Sequence, residues 1–165
     1  MSRPLTFADD ITADEVGIRT AKFGEFRVKS AYQPIWRHRD GLLFPQAVEA
    51  LARVFRDGAA IPPLEFFAQV PSEDAFRVES LCRALHLQNY HNIGVPGVQL
   101  FFNYDPRLNG NLDQSVRQLA YMADRLEKIG VDIRLLVCEI TETDVLDHEA
   151  FVRLAAEIRR LGMRL

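Results

Sequence analysis

Over 165 residues the sequence carries 20 basic and 23 acidic groups, a formal charge of −3, and 48% hydrophobic residues. This is the balance of an ordinary folded domain, and it excludes disorder, collagen-like structure and the strongly basic surface of a nucleic-acid polymer binder. No apolar run approaches the roughly 18–20 residues that span a bilayer, and the first residues lack the apolar stretch of a secretory signal, so a cytoplasmic protein without membrane contact is expected.

Seventeen of the basic residues are arginine, a bias that suits bidentate phosphate recognition but that a genome rich in G and C also produces. Cys82 and Cys138 have neither disulfide nor zinc spacing and read as small buried apolar residues. Residues 6–22 read as a short amphipathic lead-in helix, because Thr12 and Glu15 make a capping box and Val16, Ile18 and Ala21 follow. Residues 26–35 alternate apolar and polar, the period of a strand, and Pro34 limits how far its ladder can continue. Asp40-Gly41 marks a turn, after which Leu42, Leu43 and Phe44 restart an apolar run.

By propensity residues 45–55 are helical, with Pro45 at a first helical position, and Asp57-Gly58 ends the segment. Pro62-Pro63 opens a short helix over 64–70. Ser72 is read as the cap of a longer helix to about residue 90, with Phe76, Leu81, Leu85 and Leu87 near helical spacing. A strand over 98–104 is followed by a helix over 112–129 whose stripe is Val116, Leu119, Met122 and Leu126, with Gly130 at its C-cap. Residues 134–141 form another buried strand, and a last helix runs from 147 or 148 to 161, before Gly162. The alternation predicts a parallel α/β sheet or barrel.

In such folds reacting groups collect at the carboxyl ends of parallel strands. Asn103 ends one apolar strand and Glu139 interrupts another. A carboxylate there must face an arginine, a metal or water. Together with Glu49 they supply two carboxylates and an amide, hard oxygen donors that select Mg²⁺, Mn²⁺ or Ca²⁺ over zinc, and a divalent ion so held suits phosphodiester cleavage. Taken singly, Glu49 also reads as a solvated helix face and Asn103 as a loop-satisfying amide. His38, His86, His91 and His148 share no ligand spacing and read as surface residues. No Gly-x-Ser-x-Gly elbow, Walker loop or Gly-x-Gly-x-x-Gly cradle occurs.

Four strings in order, Tyr32-Gln33-Pro34-Ile35, Glu49-Ala50-Leu51-Ala52-Arg53, Asn103-Tyr104-Asp105-Pro106 and Glu139-Ile140-Thr141-Glu142, give the chain its resemblance to the EAL domain, a family of cyclic di-GMP phosphodiesterases. The resemblance covers residues 23–165, about the first three-fifths of that domain, with 1–22 as the lead-in. It implies an α/β fold, an incomplete modified TIM barrel whose first strand is antiparallel, and requires a strand where propensity favours helix over 45–55.

On the family pattern Glu49, Asn103 and Glu139 match metal ligands, Gln33, Leu51 and Arg53 match contacts to the dinucleotide, and Glu142 matches a supporting residue beside the metal site. Tyr104-Asp105 departs from the usual aliphatic-Ser pair, and Gln69 stands where an acidic residue often follows Ala. The family's Asp-Asp-Phe-Gly string, its water-positioning Lys and a later metal-ligating Glu do not occur in these 165 residues. A complete domain holds two Mg²⁺ or Mn²⁺ ions and converts cyclic di-GMP to the linear dinucleotide. These residues alone are expected to hold at most one ion weakly, to be inactive, and to self-associate or exchange strands through open sheet edges. A non-catalytic module that binds cyclic di-GMP or a protein is the alternative.

Overall fold

The computed structural model describes residues 5–105, 112–140 and 148–165. Among these the elements are β1 (Ile11–Ala13), β2 (Arg19–Phe23), β3 (Phe26–Arg39), β4 (Leu42–Arg56), β5 (Ala59–Ile61), α1 (Pro63–Gln69), α2 (Ala75–Asn89), β6 (Gln99–Tyr104), α3 (Leu112–Lys128), β7 (Leu136–Ile140) and α4 (His148–Arg160). The strands hydrogen-bond in the order β1-β2-β3-β4-β6-β7, with β5 also on β4. The described residues divide into two compact units, one of residues 5–33 and 50–94 and one of residues 34–49 and 95–165. None of their helices is long and apolar enough to cross a membrane.

In the first unit the expected lead-in helix over 6–22 is replaced by the antiparallel pair β1–β2, with Ile11 opposite Ala21, and by β2–β3, with Ala21 opposite Val28. The capping box loses to a local turn. The Asp14 carboxylate accepts the N–H groups of Val16 and Ile18 at 3.1 and 2.8 Å, and Gly17 takes φ +83°. An aspartate that satisfies its own downstream amides in this way diverts the backbone from helix. Ala21, Phe26, Val28, Val54, Phe66, Val78, Leu81 and Leu85 form the core of this unit. Phe66 is fully buried and meets the Phe26 ring edge-on at 5.0 Å, burial that stabilises by about 1.5–3 kcal/mol.

Helix α1 begins at Pro63 as the sequence predicts. Helix α2 starts later than Ser72 allows, because residues 71–74 close a turn in which the Asp74 N–H donates to the Pro71 carbonyl, leaving Asp74 as N-cap and the Ser72 hydroxyl on Glu73. His86, expected at the surface, is instead buried on α2. Cys82 and Cys138 are buried free thiols.

The opposed signals over 45–55 resolve as strand. Asp40 and Gly41 take φ +51° and +78°, and Asp57 and Gly58 take +52° and +83°. Two residues in succession with positive φ are the chemistry of tight hairpin turns, so both ends of β4 are held by its neighbours in the chain. Its amides are then used in ladders, with Ala47, Val48 and Glu49 opposite Gln99, Leu100 and Phe101 of β6, and with Val54 opposite Ile61 of β5. Those pairings outweigh the helical propensity of an Ala-rich run. Strand β3 continues through Pro34 to Arg39. Its pairing with β2 covers only residues 26–28, so the missing Pro34 amide costs nothing on that side.

In the second unit β4, β6 and β7 are parallel, with residues 100–104 opposite 136–140. Helices α3 and α4 pack on each other and bury Leu119, Leu126, Leu154 and Ile158. Both end on a left-handed glycine with the paired bonds of a Schellman motif: Val131 N–H to Leu126 O and Gly130 N–H to Glu127 O in α3, Met163 N–H to Ile158 O and Gly162 N–H to Arg159 O in α4. Arg164 then lies parallel to β7, its N–H on the Leu136 carbonyl and its own carbonyl on the Cys138 N–H, both at 2.9 Å.

Candidate functional site

Parallel register decides which side chains share a face. Glu49 stands opposite Phe101, and Asn103, two residues along β6, stands opposite Glu139 of β7. Residues paired across a ladder point the same way, as do residues two apart on one strand, so Glu49, Asn103 and Glu139 share one face of the sheet in the second unit. It is the open face, since Leu100, Phe102 and Tyr104 are buried while Gln99 and Phe101 are half-buried and Asn103 is exposed. Asn103 and Glu139 each stand one residue before the carboxyl end of their strand, and Glu49 is the last β4 residue in register with β6.

The Asn103 amide donates to the Glu49 carboxylate, Nδ2 to Oε1, at 3.4 Å. Asn103 therefore serves a carboxylate rather than a loop backbone. Burial pushes the Glu139 carboxyl above the usual carboxylate range, and the negative charge of Glu49 adds to that effect. Glu139 makes no ion pair with an arginine among the described residues. No group of three or more His, Cys, Asp or Glu placed to hold a metal ion occurs among those residues either, so an oxygen cage built from them is two carboxylates completed by an amide. Two like charges without a cation between them are unfavourable, and a proton or a divalent cation relieves them.

The remaining sequence candidates lie on the first unit. Gln33 is exposed on β3, while on β4 Leu51 is half-buried and Arg53 exposed. Arg53 has no ion pair among the described residues, leaving its guanidinium fork free for an anion. Glu142 lies outside the described residues. Sequence reasoning missed an open groove of about 740 Å³ in the second unit, lined by Arg37, Arg39, Arg164, Gln46, Gln99 and Phe44 among others. It sits at the carboxyl end of β3 and the amino ends of β4 and β6 and includes none of the candidate ligands. It missed as well a buried polar cluster on α2, for which the only signal was a histidine and an asparagine among core positions.

No protein-family model matches the sequence, and a search of curated proteins finds no match. Solved structures do match. Bacillus subtilis YkuI, a protein with an EAL domain in complex with substrate c-di-GMP and calcium, superposes with a TM-score of 0.67 and 23% identity over 82% of this chain and 34% of that one. The fold is that of EAL-domain structures. Klebsiella pneumoniae BlrP1 with FMN and cyclic diGMP and no metal ions gives 0.64 and 21% over 82% of this chain and 33% of that one. Its manganese/cy-diGMP complex at pH 9.0 gives 0.60 and 21% over 84% and 37%. The chain spans about a third of the length of these solved chains. Within the EAL-type fold the parallel strands β4, β6 and β7 follow a strand, β3, from which the chain reverses at Asp40-Gly41, in keeping with an antiparallel first barrel strand.

Proposed function

We propose that these residues are the first part of a cyclic di-GMP phosphodiesterase domain in which Glu49, Asn103 and Glu139 hold one divalent cation, Mg²⁺ or Mn²⁺. One observation carries the reading: on three adjacent parallel strands, the Asn103 amide reaches the Glu49 carboxylate on the face where Glu139 is pushed toward its protonated form. Such a pair of carboxylates is destabilised without a cation and stabilised with one. The EAL-type fold, and the cyclic di-GMP, calcium and manganese named for its solved relatives, support the same assignment.

A divalent ion, when bound, supplies Lewis-acid polarisation of a phosphodiester. The residues themselves divide the remaining work. Glu49 and Glu139 provide the negative charge that retains the cation, and Asn103 orients Glu49. Arg53 offers two parallel N–H donors to a phosphate, Gln33 an amide to a polar edge of the ligand, and Leu51 an apolar contact. Glu142 supports the metal ligands beside it in sequence. The 165 residues contain no Asp-Asp-Phe-Gly string, so on their own they bind rather than hydrolyse, they self-associate through sheet edges, and the protein acts in the cytoplasm.

The test is titration calorimetry of cyclic di-GMP into the chain with Mn²⁺ and with EDTA, alongside chromatographic detection of the linear dinucleotide. Binding that is strengthened by Mn²⁺ and lost in Glu49→Gln and Asn103→Ala is the expected result. Binding indifferent to Mn²⁺ and to both substitutions refutes the metal site. Hydrolysis by the 165 residues at ordinary enzyme rates refutes their inactivity, and binding without turnover by the full-length protein assigns the non-catalytic module instead.

A further inference from the structure

Beneath β2 and β3 the first unit buries polar groups where apolar ones would be expected. Asn89, 3% exposed, accepts the Arg19 N–H on Oδ1 at 2.8 Å and donates through Nδ2 to the Arg19 carbonyl at 2.9 Å and to the Ser30 Oγ at 3.3 Å. His86 Nδ1 lies 2.9 Å from the same Oγ, and the Tyr32 hydroxyl donates to the His86 carbonyl at 2.5 Å. Two residues upstream on the same face of β3, Val28 makes the apolar version of this contact, fully buried.

Ser30 Oγ accepts from Asn89 Nδ2 and shares a hydrogen bond with His86 Nδ1 in which either atom can donate. Burial favours the neutral imidazole, pushing the His86 pKa down to about 4. Burial also pushes the Tyr32 hydroxyl well above its ordinary value, so it remains a donor.

We infer that Ser30, His86 and Asn89 are positioning residues that fix the register of β3 against α2 and thereby set where Gln33 projects. Apolar packing of Val28 alone tolerates sliding along the strand, whereas directed bonds spaced along one face specify a single register. Ser30 and Tyr32 share the face turned to α2, and strand alternation sends Gln33 to the opposite, exposed face. Buried histidine and asparagine are costly unless bonded, and here both are bonded to half-buried Ser30 on β3. The inference rests on the reading that Gln33 meets the dinucleotide.

The experiment uses the full chain as Ser30→Ala, Ser30→Thr and Gln33→Ala. Backbone and side-chain amide resonances of Gln33 are recorded without ligand, and cyclic di-GMP affinity is measured with Mn²⁺. Ser30→Ala is expected to broaden or split the Gln33 resonances and to weaken binding about fivefold, the factor for one net hydrogen bond, while Ser30→Thr, which keeps the hydroxyl, restores both. Unchanged Gln33 resonances in Ser30→Ala, or a Ser30→Thr protein that behaves like Ser30→Ala, overturns the inference. Gln33→Ala tests the underlying reading separately: wild-type affinity in that variant refutes the ligand contact, while the ligand-free spectra of the serine variants still decide the register claim.

Discussion

Glu139→Gln removes one of two carboxylates while preserving shape, and its effect separates a cation site from a structural contact. Glu49 and Glu139 stand on strands on either side of β6. Two strand spacings of roughly 4.8 Å and an offset of two residues, about 6.6 Å, put the two positions about 12 Å apart. Coulomb's law then puts their repulsion between ~0.3 kcal/mol in water and ~1.4 kcal/mol at an effective dielectric of ~20, and screening over a Debye length of about 8 Å keeps it in the lower part of that range. In EDTA at neutral pH the variant should therefore be more stable than the wild type by ~0.5–1 kcal/mol, a rise in Tm of roughly 1–4 °C for a chain of this size.

The pH dependence has a definite sign. The Glu139 pKa is raised in the fold, so the ionised group opposes folding at neutral pH and its protonation removes the opposition. The wild type should gain on the variant as pH falls through the raised pKa, and lose that gain as pH rises through it. With Mn²⁺ at about 100 times its dissociation constant, linkage stabilises the wild type by ~2.7 kcal/mol, and Glu139→Gln should lose most of that shift. Thermal unfolding followed by circular dichroism, with EDTA and with Mn²⁺, measures all three. A variant less stable than the wild type in EDTA by more than about 1 kcal/mol, or one that keeps the Mn²⁺ shift, refutes the reasoning, because Glu139 would then be making a structural bond or no metal contact.

Two further substitutions test the packing and the backbone of the fold. Phe66→Ala empties the centre of the first unit and should cost about 3–5 kcal/mol, a large share of the roughly 5–15 kcal/mol that holds a domain together; a denaturant midpoint within error of the wild type would contradict the packing described. Gly130→Ala places a Cβ with no atom within 4 Å of it at φ +80°, so its cost of about 1–2 kcal/mol is purely backbone strain, with Gly130→Asn closer to the wild type in Tm.

Residues whose structure depends on near neighbours were legible in sequence. The helices α3 and α4, the stops at Gly130 and Gly162, the turns at Asp40-Gly41 and Asp57-Gly58, and the apolar strands β6 and β7 follow from periodicity and backbone chemistry within a few residues, although of the α3 stripe only Leu119 and Leu126 are buried. Glu139 stood out in the sequence because a carboxylate inside an apolar strand is anomalous wherever that strand goes, whereas Glu49 and Asn103 were singled out only in combination with it. Two things were settled at longer range and one by competition between local signals. The ladders with β6 and β5 made residues 45–55 a strand against their helical propensity. Asp14, by capturing two amides, let 11–23 pair as strands although a capping box stood beside it. The burial of His86 and Asn89 depended on Ser30 and Arg19, which lie 56 and 70 residues away in sequence. Local rules assign the cost of each conformation, but which hydrogen-bond partners arrive is a property of the whole chain, and partners from distant strands and helices outweighed those local preferences.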